Sequence, residues 1–309
     1  MTKKILLAVD NSVSSSEAVN YTCEKLLLRE ECYYTLLNIQ SQSSLQNREE
    51  IISGVKSQTQ REMKNNIKAN TKEDSNFLEK LRRLMIVKGK KQNQVSTVTR
   101  YSESGIVNDI LEYAHIGLYE AIVVGRNKYS LIKNIFMESI SDNLVKHARD
   151  IPVWVVCGNV KSAKMLLVVN SSQGSLRAVE HVCQMGCESP EVQINLLHVI
   201  MEKSIQQALL SDSYSNDFIE MEEALQQVTE FQDRARRMLN NAGIHDDRFK
   251  IKEAWSNGNI FKPIMAEIKN GDYGTIVLDK FLANESFFMR RIYQHVLDHI
   301  EDRAMCIVS

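Results

Sequence analysis

A shift of 160 positions lays the first half of this 309-residue sequence on the second, and no other feature restricts its fold as strongly. In one register the shift pairs Leu6-Leu7-Ala8-Val9-Asp10 with Leu166-Leu167-Val168-Val169-Asn170, Ser12 with Ser172 and Ala18-Val19 with Ala178-Val179. It also pairs Cys23 with Cys183 and Leu36-Leu37-Asn38-Ile39 with Leu196-Leu197-His198-Val199. Further on the shift becomes 154, matching Ile110 to Ile264 and Ile122-Val123 to Ile276-Val277. Near the ends it is 152, matching His147 to His299, Asp150 to Asp302 and Val156 to Val308. Small deletions therefore separate two copies of one unit, joined between Gly158 and Ala163. The expected domains are 1–159 and 160–309, each near a common domain size.

Lys4 to Asp10 is a short apolar run, suited to a strand buried on both faces. Asn11 to Ser16 offers hydroxyl and amide N-caps, and Glu17 to Arg29 then carries apolar residues at helical spacing. Strands are predicted at Tyr33 to Gln40, Val95 to Tyr101, Ala121 to Gly125 and Pro152 to Cys157. Helices are predicted at Val107 to His115 and Ile140 to His147, and the second copy repeats the order, ending on Ala304 to Val308. Such alternation predicts an α/β fold of two tandem doubly wound domains, each a five-stranded parallel sheet with helices on both faces. Sheets of this kind take ligands outside the carboxyl ends of their strands, where Asp10, Ile39 and Gly125 fall.

The long connections, Ser41 to Gln94 and Met201 to Arg248, read as polar surface helices with a break near Ala69 to Ser75. Lys80, Arg82, Arg83, Lys88, Lys90 and Lys91 cluster in the first. No aromatic residue interleaves with them, so a solvated helix end is expected there instead of a nucleic-acid surface. With 38 basic and 39 acidic side chains, the net charge of −1 attracts neither nucleic acid nor anionic lipid. No apolar run approaches the roughly 18 residues of a membrane span. The apolar start meets Asp10 too early for a secretory segment, so a cytoplasmic location is expected. Cys23, Cys32, Cys157, Cys183, Cys187 and Cys306 fit that compartment as structural thiols. Cys183 and Cys187 are close in sequence, but a lone C-x3-C is a weak zinc signal.

The run Ile5 to Ser12, ILLAVDNS, followed by Ser16-Glu17-Ala18, resembles the first strand and helix of universal stress proteins. So do Ala121 to Arg126, AIVVGR, Ser139 to Asp142, SISD, and Ile151 to Val156, IPVWVV. Leu196 to Val199, with Gly258 before Ile264, fits the same pattern in the second half. The resemblance implies a tandem universal stress protein with an adenine nucleotide alpha hydrolase-like fold. One branch of that family binds ATP through a G-x2-G-x9-G-[ST] motif, whose glycines let backbone N–H groups approach phosphates. By this resemblance Asp10, Gly125, Ser139 and Ser141 fall on site positions, and Ile39 on the apolar contact to adenine.

The motif's second glycine is Lys128 here and the third is Glu138. A carboxylate about 4 Å from a phosphate charge is repelled by ~1–4 kcal/mol in wet surroundings. In the second half Asn170, Asp279 and Arg291 replace the site's aspartate, first glycine and serine. His295 and His299 stand four apart without an H-E-x-x-H pattern, so no metal is expected. No nucleophile elbow or G-x4-G-K-[ST] loop is present. The expected function is stress response by binding and assembly, without turnover and with a degenerate nucleotide site and no resident cofactor. The alternative is ATP bound, and slowly hydrolysed, in the first domain. The last strands of the two halves, Val153 to Cys157 and Met305 to Val308, are expected to pair as an intrachain pseudo-dimer, and homo-oligomers remain open.

Overall fold

β1 (Lys3–Ala8) is apolar at consecutive positions, and Ile5, Leu6 and Leu7 are wholly buried, as a strand covered on both faces requires. The computed structural model describes residues 3–26, 31–41, 76–127, 140–185, 191–201, 216–256, 259–280, 293, 295–297 and 300–308. The chain divides into one unit of Met1–Glu24 with Glu30–Val156 and another of Lys25–Arg29 with Cys157–Ser309.

In the first unit β1 pairs in parallel with β2 (Cys32–Gln40) on one side and β4 (Ala121–Arg126) on the other. β3 (Val95–Tyr101) extends the sheet beyond β2, and β5 (Val153–Cys157) lies beyond β4, giving the order β3-β2-β1-β4-β5. The order reverses between β1 and β4, which opens a crevice at their carboxyl ends. The helices are α1 (Val13–Glu24), α2 (described at 76–87), α3 (Ile106–Ile116) and α4 (Ile140–His147).

The second unit runs β6 (Lys164–Val169), α5 (Gln173–Met185), β7 (Gln193–Met201), α6 (Asn216–Asn241) and β8 (Phe249–Ser256). It continues through α7 (Phe261–Asn270), β9 (Thr275–Asp279) and β10 (Arg303–Val308). Its strands lie in the order β10-β9-β6-β7-β8, again with parallel pairs. Tyr119 donates to Thr35 Oγ1 at 2.8 Å, and at the repeat-equivalent place Asn195 Nδ2 donates to Tyr273 Oη at 2.6 Å.

Two expectations need correction. α1 begins at Val13, four residues before the predicted Glu17, because Ser12 is its cap: Ser12 Oγ accepts the Ser15 N–H at 3.2 Å. Ser172 caps α5 identically through the Ser175 N–H, also at 3.2 Å. The long connections are also less purely polar than they read. α2 buries Phe77, Leu78, Leu81 and Met85, an i, i+4 stripe that its charge density hides, and α6 buries Phe231, Ala235 and Leu239. Most of both connections, with the predicted break, lies outside the described residues. Of the basic cluster, Arg82 donates to the Val95 and Gln92 carbonyls, Arg83 pairs with Glu79 and Lys88 with Glu24.

Trp154 of β5 is fully buried and packs on Tyr21 with ring centroids 6.1 Å apart, whereas Trp255 is 45% exposed. Trp154→Ala is expected to cost ~3–5 kcal/mol of stability and Trp255→Ala ~0.5 kcal/mol or less. Urea midpoints of the two variants check the contrast.

Candidate functional site

The crevice between β1 and β4 holds a pocket of about 260 Å³, walled by the strand ends and by residues of α1, α3 and α4. That is a little under the roughly 300 Å³ at which drug-sized ligand pockets begin. Asp10, Ile39, Gly125 and Ser141 all reach its wall; Ser139 lies outside the described residues, as do Lys128 and Glu138. Ile106, Ile110 and Ile140 add apolar surface, so the lining joins a greasy side to a ring of hydroxyls from Ser12, Ser14, Ser15 and Ser141.

Asp10 is fixed by the turn that starts α1. Its Oδ1 accepts from Ser15 Oγ at 2.7 Å and from Ser12 Oγ, and its backbone N–H donates to Ser15 Oγ at 2.9 Å. Gly125 has a packing duty as well: a Cβ there would stand 2.3 Å from the Ser14 carbonyl oxygen. The close approach of α1 to β4 therefore demands glycine before any ligand is considered.

Arg126 is a pocket residue that sequence reasoning missed. It ends β4 at 5% exposure, lines the pocket and pairs with Asp142 in the first turn of α4. A charged residue closing an otherwise apolar buried strand was the available signal; its partner 16 residues away was not legible. A larger cavity of about 630 Å³ lies along α3, walled by charges of both signs including Lys4, Arg100, Glu103 and Glu112. The predicted site residues do not converge on it, apart from Ile39.

The equivalent region of the second unit is altered at each key place. Asn170 Oδ1 accepts from Ser175 Oγ at 2.9 Å, reproducing the turn without the charge. Asp279, opposite Gly125 in the repeat, is wholly buried and accepts from Ser172 Oγ at 3.2 Å. Where Asn38 donates to the Val9 carbonyl at 2.9 Å, the second unit has His198, its Nε2 3.2 Å from Ser171 Oγ and its ring edge-on to Phe231. Among the described residues, His198 Nδ1 is buried without a hydrogen-bond partner, and so is Ser256 Oγ. The latter has a plain cause: its counterpart Ser102 donates to Asp109 at 2.6 Å, and the repeat puts Pro263 in place of Asp109.

The other chemistry candidates do not assemble. His295 packs edge-on against Phe261 at 4.4 Å, and His299, Arg290, Arg291, Gly258 and Cys187 lie outside the described residues. Among the described residues no cluster of His, Cys, Asp or Glu is placed to hold a metal, and no helix is long and apolar enough to cross a membrane. Cys23 and Cys32 are thiols whose pKa burial pushes up to about 11. They are unreactive as nucleophiles near neutrality.

A parallel sheet ordered 3-2-1-4-5, with a pocket at the point where the strand order reverses, defines the first unit as a doubly wound α/β unit. The profile of the universal stress protein family matches residues 1–156, and the chain belongs to that family. A universal stress protein from Archaeoglobus fulgidus DSM 4304 has a similar fold, with a TM-score of 0.59 at 14% identity, over 99% of this chain and 96% of that one. A functionally unknown protein from Pseudomonas aeruginosa PAO1 gives 0.48 at 10% identity, over 99% and 92% of the two chains. A universal stress family protein from Burkholderia pseudomallei gives 0.34 at 18% identity, over 50% of this chain and 95% of its own. No curated protein matches the sequence.

Burial, outweighing the opposite pull of Glu253, lowers the His198 pKa from 6.5 to about 4. The folded state thus favours the neutral ring. That contribution is complete above the unfolded value near 6.5 and is lost as pH falls toward 4, ~3 kcal/mol in all. Urea midpoints measured from pH ~7 down to ~4.5 are expected to fall less steeply for His198→Asn than for the wild type. Parallel curves would contradict this assignment.

Proposed function

We propose that this chain is a stress-response regulator of the universal stress protein type, working by binding and assembly without turnover. The observation that carries this reading is the state of the first unit's pocket. Its buried cation, Arg126, is already paired with Asp142, so a phosphate chain would meet a neutralised guanidinium. A degenerate nucleotide site follows, and a cytoplasmic location belongs to the same proposal.

A second reading, ATP bound in the first unit, is favoured by Asp10. One of its carboxylate oxygens is held by two serine hydroxyls, while Oδ2 takes no hydrogen bond among the described residues and is available to a ligand hydroxyl. The family resemblance supplies adenosine as the candidate bearer of that hydroxyl.

The tandem organisation belongs here too. The shared cap serines, the paired Tyr119 and Tyr273 bonds and the repeat register support two universal stress protein domains in one chain, 1–159 and 160–309. Their last strands are apolar, and edge-to-edge pairing would remove edges that otherwise invite aggregation. Homo-oligomer formation is the assembly we expect.

Calorimetry with the full chain separates the two readings. No saturable heat at millimolar ATP is expected; saturable binding that Asp10→Ala abolishes would replace the first reading with the second. Sedimentation of the full chain reads assembly directly. A species of two or more chains is expected, and a monomer throughout the micromolar range would remove assembly from the proposal.

A further inference from the structure

We infer that the first unit carries a second ligand site, separate from the crevice at the strand ends. It is the trough of about 630 Å³ along α3, and its chemistry fits a small basic amino acid. Arg100 takes the ligand's carboxylate, and Glu103 and Glu112 take its two ammonium groups. The site goes beyond the proposed function and does not depend on it.

α3 has two stripes with different duties. Ile110 and Ala114 are buried in the core. Asp109, Glu112, Tyr113 and Ile116 follow the i, i+3, i+4, i+7 spacing of a second stripe, and all four wall the trough. Ile39 and Arg100, register partners on β2 and β3, wall it as well. The volume falls within the roughly 300–1,000 Å³ of small-molecule sites.

The wall charges decide the ligand. The Arg100 guanidinium stands 4.8 Å from the centroid of the Tyr113 ring, which holds the cation in place without neutralising it. Among the described residues neither Arg100 nor the carboxylates of Glu103 and Glu112 make an ion pair. The other two charges are engaged. Asp109 accepts from Ser102 Oγ and Ser104 Oγ, and Lys4 donates to the Gly117 carbonyl at 3.2 Å. One guanidinium and two carboxylates remain, and their complement is one carboxylate with two ammonium groups. A polyanion would meet three carboxylates here and be repelled. The second unit spends its charges internally at the equivalent positions. The 154-residue register puts Ala254 and Ala266 at the places of Arg100 and Glu112, and Glu267 at that of Tyr113. Glu267 accepts from Lys252 at 2.6 Å and from Tyr273.

Titration calorimetry of the full chain with L-lysine, and with cadaverine, which lacks only the carboxylate, tests this. Saturable binding of lysine at millimolar concentration or below is expected, with cadaverine weaker by at least ~5-fold. Arg100→Ala is expected to bring lysine down to the level of cadaverine and to leave cadaverine unchanged. Glu112→Gln is expected to weaken both, and Asp10→Ala to change neither. Absence of saturable lysine binding would overturn the inference, as would equal affinity for the two probes or an Arg100→Ala effect on both alike. Loss of lysine binding in Asp10→Ala would place the ligand in the crevice and overturn it too. Arg100 and Glu112 are exposed, so neither substitution threatens the fold; if Arg100→Ala fails to fold, the two probes on wild type and Glu112→Gln decide. Failure of ATP to bind bears on the crevice alone.

Discussion

The first helix of each unit lies closer to the strand beneath it than two side chains allow. α1 approaches β4 across Gly125, and α5 approaches β9 across Gly174. The cap serine, the charge at the end of the first strand and the volume at the switch point are all arranged around that contact. Interiors packed at crystal-like density do not absorb an added methyl by small adjustments. A glycine must therefore stand on one side or the other, on the strand in the first unit and on the helix in the second.

Charge is handled by short local partners. Asp10 is held by the hydroxyls of Ser12 and Ser15 from the turn that follows it, whereas Asn170 Oδ1 accepts from the Ser175 hydroxyl and the Ser172 backbone N–H. The turn thus survives loss of the carboxylate, because the amide oxygen keeps the Ser175 bond and takes a backbone N–H in place of the second hydroxyl. Arg126 and Asp142 form a pair at 5% and 14% exposure. Removing one member would leave the other charged and buried, a larger penalty than the pair's own net worth. The pair ties the first turn of α4 to the end of β4 and uses the pocket's positive charge within the protein.

Much of this was legible in the sequence. The 160-residue shift predicted two copies, and the alternation of strand and helix predicted a parallel α/β sheet. Asp10, Ile39 and Gly125 come together because parallel sheets gather strand ends at one edge, a rule that needs no distances. The helix start was misplaced for a definite reason: several nearby serines are chemically equivalent caps, and only the backbone turn selects Ser12. Arg126 was hidden by its place at a strand end, and the buried stripe of α2 by the charges around it. The residues Asn170 and Asp279 were visible in the second half, but their consequences were not. The stranded hydroxyl of Ser256 and the buried ring of His198 depend on partners far away in the chain.

By itself, the sequence determined the fold class and the residues of the first unit that share the carboxyl edge, since both follow from periodicity and order along the chain, and its internal register is the ground on which we propose a duplication. The tertiary structure decided on which side of the helix–strand contact the glycine stands. Ser14 and Gly125, or Gly174 and Asp279, are harmless residue types at unremarkable spacing. Their meaning lies in a contact between a helix and a strand some hundred residues apart, too close for a side chain on both. Sequence patterns record which face a side chain takes. They do not record how near the opposing backbone comes.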